Sequence, residues 1–310
     1  MRFTIAIIHH NNFERLKKVV RSALSAAGNH DEIIIIDNAS TDDSSNKIST
    51  LYPNINIITN NCNAGYGHCC NQAMRQGNGK YFLLCNNDIV LPEYCLDQFE
   101  ELFENDSKAG MIGPQLLTQE GNKMNSYGDS PTIFSQLDLI GRLTSKKIAT
   151  DYSEVGTLRG ACLAISRVMT EELGMYDEDF YFYHEETEWC VRIKREGWKV
   201  MFAPEIRVHH VGGASTSNVY AGSRIEFFRS RILFWKKVFP FYQALVLFLW
   251  NFPKLIIDCS FYFAATVATL NMNIRLRKKL IDRVVVISWL LLGQPDSWGL
   301  PNKCPKQDKL

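Results

Sequence analysis

The chain opens with an unbroken apolar run, FTIAII (3–8), which reads as a strand buried on both faces. Phe13, Leu16, Val19, Val20, Ala23, Leu24 and Ala27 then recur at three- and four-residue spacing, which predicts an amphipathic helix over 13–27 ended by Gly28-Asn29. EIIIID (32–37) is a second buried strand. A weaker helix is expected over roughly 42–51, and a third strand over NINIIT (54–59). NAGYGHCCNQAMRQG (63–77) reads as a glycine-rich turn entering a helix that stops at Gly77. YFLLCNND (81–88) reads as a fourth strand, and a helix follows over about 93–104. This β-α-β-α-β-α-β order predicts an α/β fold with a mostly parallel sheet and helices on both faces. Residues 114–155 are polar and irregular, with Gly121, Gly128 and Gly141, and read as loops over a site. VGTLRGACLAISR (155–167) returns to strand character, and 185–204 reads as helix, Gly197 and strand.

Two strands end abruptly in short polar side chains, IIIIDNAST (33–41) and CNND (85–88). Taken singly, each is a turn or a helix cap. Taken together, they place Asp37 and Asp88 at the same sheet edge, the carboxyl edge where open α/β sheets bind ligands.

Composition narrows the classes. The chain has 310 residues, 46% hydrophobic and 22% charged, with a net charge of +1, so nothing points to nucleic acid. The nine cysteines are odd in number, form no CxxC pair, and follow an N-terminus (MRFTIAIIHHNN) unlike a signal peptide. A reduced, cytosolic chain is expected, with Cys69-Cys70 serving as packing on a helix. The C-terminal part departs from this balance. Arg224 to Arg283 holds eleven Lys/Arg against three Asp/Glu around the very apolar 238–270 stretch. A span needs about 20 uninterrupted apolar residues, and Pro240, Pro253, Lys254 and Asp258 interrupt this one. An interfacial segment on an anionic membrane surface fits that pattern; a buried helical hairpin or a homodimer contact is the alternative.

Four constellations carry chemistry. Asp88, beside Asn86 and Asn87, offers oxygen to a hard cation such as Mg²⁺ or Mn²⁺. FYFYHEETEWC (180–190) gathers Glu185, Glu186 and Glu188, with Asp179 just upstream, at a helix start, where a carboxylate serves either as a dipole partner or as a general base. VHHVGG (208–213) offers His210 as an imidazole ligand. FFRSR (227–231) offers Arg229 and Arg231 to a diphosphate or to a solvated basic face.

Taken in order, IDNAST, NAGYGHCCNQA, NND, RGACL, EETEW and HHVGG resemble the motifs of the family-2 inverting glycosyltransferases with a GT-A (Rossmann-like) fold. The nearest branch is that of bacterial rhamnosyltransferases of O-antigen and capsule assembly. The resemblance covers roughly 3–235, leaving 236–310 as a helical, apolar and basic appendage. It implies that Asp37 contacts the nucleotide base, with His10, Asn11, Asn38, Asn63, Gly65 and Asn87 lining the nucleotide pocket. It further implies Asp88 and His210 on a divalent metal, with Arg229 assisting at the diphosphate. Glu186 stands at the catalytic-base position, with Glu185 as its rival, because the family's usual aspartate is glutamate here.

The activity so implied is an inverting sugar transfer from dTDP-rhamnose or a UDP-sugar to a hydroxyl of a lipid-linked saccharide, by a protein on the inner face of the cell membrane. A nucleotidyltransferase would need a glycine-rich basic phosphate loop, which IIHHNNFERL lacks. A non-catalytic membrane-bound scaffold on the same fold is the competing reading.

Overall fold

The computed structural model describes residues 1–137, 149–210, 220–300 and 302–304. In chain order the elements are β1 (Phe3–His9), α1 (Phe13–Ala26), β2 (Glu32–Asp37), α2 (Ser44–Leu51), β3 (Asn56–Thr59), α3 (Tyr66–Gln76), β4 (Tyr81–Asn86), β5 (Ile89–Val90) and α4 (Cys95–Asn105). Then come β6 (Ala109–Leu117), β7 (Tyr127–Gly128), α5 (Ile133–Gln136), β8 (Ser153–Glu154), β9 (Thr157–Leu158), β10 (Cys162–Ser166) and α6 (Arg167–Leu173). The chain continues through α7 (Glu185–Arg195), β11 (Lys199–His210), α8 (Tyr220–Val238), α9 (Phe241–Ala268) and α10 (Ile274–Leu291).

The central sheet runs β3-β2-β1-β4-β10-β6-β11-β5, with β8 also on β11. β1, β2, β3 and β4 are parallel neighbours, whereas β10 enters antiparallel between β4 and β6. The sheet is therefore mixed. Its register aligns the polar strand ends: His9 faces Asp37, Ile8 faces Asn86, and Asp37 faces Thr59. Because β10 runs the other way, its first residues meet the same edge, and Asn86 N–H donates to Ala161 C=O at 3.0 Å.

Helices cover both faces. Val19, Val20 and Phe99 close one core, while Cys69, Cys70, Trp189 and Ile193 close the other. A third cluster, with Phe234, Trp235, Leu247 and Trp289, joins the C-terminal helices and takes in Phe180 from the body.

Three expectations change. First, β6 begins before the stretch read as loops and runs into it as a fully buried strand. Gly110, Gly113 and Pro114 disguised it. The missing Pro114 donor is tolerated because Ala203, its partner, sits where β11 shifts register before Arg207. Second, the apolar run read as too interrupted for a span forms one 28-residue helix, α9, straight through Pro253, and among the described helices it is long and apolar enough to cross a membrane by length and composition. Asp258, which also interrupts the apolar run, meets Arg283 of α10 at 3.5 Å. Third, the thiols are not all reduced. Cys62 and Cys304 form a disulfide across 242 residues of sequence, while Cys69 and Cys70 are buried packing residues as expected. No local spacing announces a bridge that only the returning C-terminal segment creates. Gly141, and Val211 to Gly213 of the VHHVGG motif, lie outside the described residues.

Candidate active site

The end of β2 is tied down side chain by side chain. Asp37 is buried; its Oδ1 accepts Ser40 N–H at 2.9 Å and its Oδ2 accepts the Ser45 hydroxyl. Asn38 bridges to the next turn, donating to Asn63 Oδ1 at 2.8 Å and accepting Ala64 N–H at 2.8 Å. Its backbone carbonyl lies 2.9 Å from His10 Nδ1. Asn63 Oδ1 also accepts Gly65 N–H at 3.1 Å. Gly65 is required there: its φ is +93°, and a Cβ would stand 2.4 Å from the Tyr181 carbonyl oxygen.

His9, which the sequence reading passed over, holds the two loops together. Burial lowers its pKa to about 4, so the ring is neutral. Asn87 Nδ2 donates to Nδ1 at 2.9 Å, which leaves Nε2 as the donor to Ser44 Oγ at 2.6 Å; that hydroxyl in turn donates to Asp42 Oδ1 at 2.6 Å. Asn87 also reaches the Asn11 carbonyl at 3.3 Å, and Asn11 Oδ1 accepts Thr41 N–H at 2.8 Å. His9 carried no sequence signal beyond following directly on the strand expected over 3–8; the structure extends β1 to include it.

Asp88 and His210 arrive from distant parts of the chain. β5 pairs with β11, setting His210 beside Ile89. His210 Nε2 stands 3.2 Å from Asp88 Oδ1, yet Asp88 Oδ1 and His210 Nδ1 are both buried without a hydrogen-bond partner among the described residues. A carboxylate oxygen and an imidazole close together and otherwise unsatisfied suit a cation. Among the described residues no third His, Cys, Asp or Glu joins them.

The acidic cluster divides cleanly. Glu188 is paired with Arg192 at 3.1 Å, and Asp179 is exposed and paired with Lys237 at 2.6 Å. Glu185 and Glu186 each keep one buried oxygen without a partner among the described residues. Burial pushes the Glu185 carboxyl well above its ordinary value, and Glu186 adds to this. Burial also raises Glu186, opposed by backbone N–H groups and by Arg159. Glu186 packs over Gly160 of the RGAC segment, whose carbonyl accepts the Tyr66 hydroxyl at 2.8 Å. Thus α3, β10 and α7 converge on one carboxylate. The turn before α7 holds Tyr183 and His184 at φ 71° and 66°, braced by the Ser230 hydroxyl on the Phe182 carbonyl at 2.7 Å.

Arg229 is placed differently from the sequence reading. Its guanidinium binds Glu226 and the carbonyls of Pro295 and Trp298, at 3.1 and 2.7 Å, so its donors serve the C-terminal segment. Arg231 likewise donates to the Gln136 carbonyl at 2.9 Å.

With this geometry in view, the profile of Glycosyl transferase family 2 matches residues 4–174, more than half of the chain. The chain belongs to glycosyl transferase family 2. Among curated relatives, the low-salt glycan biosynthesis hexosyltransferase Agl10 of Haloferax volcanii is 25% identical over 246 residues, covering 76% of this chain and 77% of its own. The N-acetylglucosaminyl-diphospho-decaprenol L-rhamnosyltransferase of Mycobacterium tuberculosis is 22% identical over 225 residues, covering 65% and 73%. Among solved structures, the mannosyltransferase PcManGT of Pyrobaculum calidifontis, in complex with GDP-Man and Mn²⁺, superposes with a TM-score of 0.55 at 14% identity, covering 94% of this chain and 86% of its own. The fold is GT-A, and the protein is a glycosyltransferase.

Proposed function

We propose that the protein transfers a sugar, with inversion, from a nucleoside diphosphate donor to a hydroxyl of a lipid-linked saccharide in the synthesis of a cell-surface glycan. The observation that carries the reading is the pair of unsatisfied carboxylates, Glu185 and Glu186, on the sheet edge that also holds the Asp88–His210 pair.

Asp37 and the Asn38–Asn63 bridge shape the nucleotide pocket, with His10, Asn11 and Gly65 in its walls and Asn87 fixing the Asp88 turn through His9. Glu186 takes the acceptor proton, since burial raises its pKa toward working pH and Gly160 leaves room beside it. Burial and the neighbouring Glu186 also raise the Glu185 carboxyl, favouring its neutral form beside the base. A divalent cation, Mg²⁺ or Mn²⁺, held by Asp88 and His210 would offset the charge of the leaving diphosphate. The donor of this reading is dTDP-rhamnose or a UDP-sugar, and the relative named as an N-acetylglucosaminyl-diphospho-decaprenol L-rhamnosyltransferase supports a rhamnosyl group and a polyprenyl diphosphate-linked sugar as acceptor.

The C-terminal region suits such an acceptor. Leu249, Ile257 and Phe261 of α9 are 60%, 68% and 65% exposed, and Arg275, Arg277, Lys278 and Lys279 crowd the start of α10. An apolar face beside basic residues fits peripheral binding to an anionic membrane surface.

The deciding experiment is thermal stabilisation by dTDP-, UDP- and GDP-sugars, with and without Mn²⁺ or Mg²⁺. Stabilisation by one nucleotide class that needs metal and vanishes in Asp88→Ala supports the reading. A well-folded protein that answers to none overturns it.

A further inference from the structure

The C-terminal segment returns to the nucleotide turn and locks onto it. Asn63 N–H donates to the Asn302 carbonyl at 3.1 Å, and Cys304 N–H donates to the Asn63 carbonyl at 3.0 Å, so Asn63 and Lys303 pair as parallel strand residues. The Cys62–Cys304 disulfide closes the same contact covalently. Lys303 reaches inward: its ammonium pairs with the fully buried Glu226 and lies 4.6 Å from the centre of the Tyr181 ring. Tyr181 is the residue whose carbonyl presses on Gly65 and accepts Tyr66 N–H at 3.3 Å. Three residues from the far end of the chain therefore fasten the Asn63–Gly65 turn to the loop that leads into Glu185 and Glu186.

We propose that Asn302, Lys303 and Cys304 form a thiol-controlled clasp that positions the donor turn. This rests on the reading of Asn63 and Gly65 as nucleotide-binding residues. With the disulfide closed, the turn is held in the shape that the Asn38 bridge and the donor require. A dithiol reductant opens it: two electrons and two protons pass to Cys62 and Cys304, the Sγ–Sγ bond becomes two thiols, and the dithiol closes to its own disulfide. The open turn must then be ordered by the donor itself, which weakens binding.

The test compares the oxidised full chain, the chain reduced with dithiothreitol, and Cys304→Ser, by donor KM and kcat and by amide hydrogen exchange at Asn63 and Gly65. Reduction should raise the donor KM by roughly tenfold with kcat within about twofold, since preorganisation acts on binding. Cys304→Ser should match the reduced chain and ignore dithiothreitol. The amides should lose protection in both. Unchanged exchange on reduction overturns the clasp whatever the donor does. Lost protection with an unchanged KM overturns its control of the donor. Lost protection with no nucleotide bound in either state overturns the donor reading, and the control with it.

Discussion

His210 Nε2 stands 3.2 Å from Asp88 Oδ1, joining the last residue of β11 to the turn after β4. Asp88 Oδ1 and the other ring nitrogen of His210, Nδ1, have no hydrogen-bond partner among the described residues, so the pair still has capacity for a further partner. Asp88→Asn keeps the shape and removes the anion. It should weaken metal-dependent donor binding by roughly 10- to 100-fold, the range for losing a charge-assisted contact. His210→Gln should move affinity in the same direction. Titration calorimetry with Mn²⁺ and the preferred nucleotide sugar reads both, and wild-type affinity in Asp88→Asn would remove this residue from the metal site.

Glu186→Gln should lower kcat by about 10²–10⁴-fold with little change in donor KM, as expected for a lost general base. Glu185→Gln should lower it far less. A reversal of that order, read from initial rates, would make Glu185 the base. Loss in neither would favour the non-catalytic scaffold.

The raised Glu186 pKa sets the sign of the pH profile. A base must be ionised, so kcat/KM should rise with pH through that raised value. Stability should move the other way. Glu185 is also raised by burial, so the fold favours its neutral form. That contribution is complete below the ordinary glutamate value and is lost as pH climbs through the raised one. The melting temperature of wild type should therefore fall toward alkaline pH, and Glu185→Gln should flatten the fall. Parallel melting curves from pH 5 to 9 would show it.

On the acid side the histidines govern. Burial lowers both His9 and His184 to about 4 from 6.5. The folded state keeps them neutral, so their contribution is present above 6.5 and lost as pH falls from 6.5 through 4. His184 packs its ring against Phe227 and Phe234, and its Nε2 has no partner among the described residues. His184→Phe should shallow the acid loss of stability. An unchanged slope would mean that the ring already escapes to water.

Membrane association is best tested on the exposed face rather than by truncation, because Trp289 and Cys304 are joined to the body. Replacing Leu249, Ile257 and Phe261 together by glutamate should abolish flotation with vesicles of anionic phospholipid while leaving the melting temperature nearly unchanged. Flotation equal to wild type would move membrane binding elsewhere.

The strands, the helix faces and the two polar strand ends were legible in the sequence because burial period and turn chemistry are local properties. FTIAII and EIIIID could bury both faces only inside a covered sheet, and the short polar residues after Ile36 could only leave it. The Asp88–His210 pair was expected from the motif resemblance alone, not from any local pattern, while the use of Arg229 by the C-terminal segment and the meeting of Cys62 with Cys304 were not legible. Each depends on where the chain returns after a long excursion, and on which charged neighbour satisfies a group first. The apolar and polar pattern determined the layers, whereas only tertiary packing decided which side chains at their common edge were left unsatisfied, because that depends on which neighbours the returning chain brings to them.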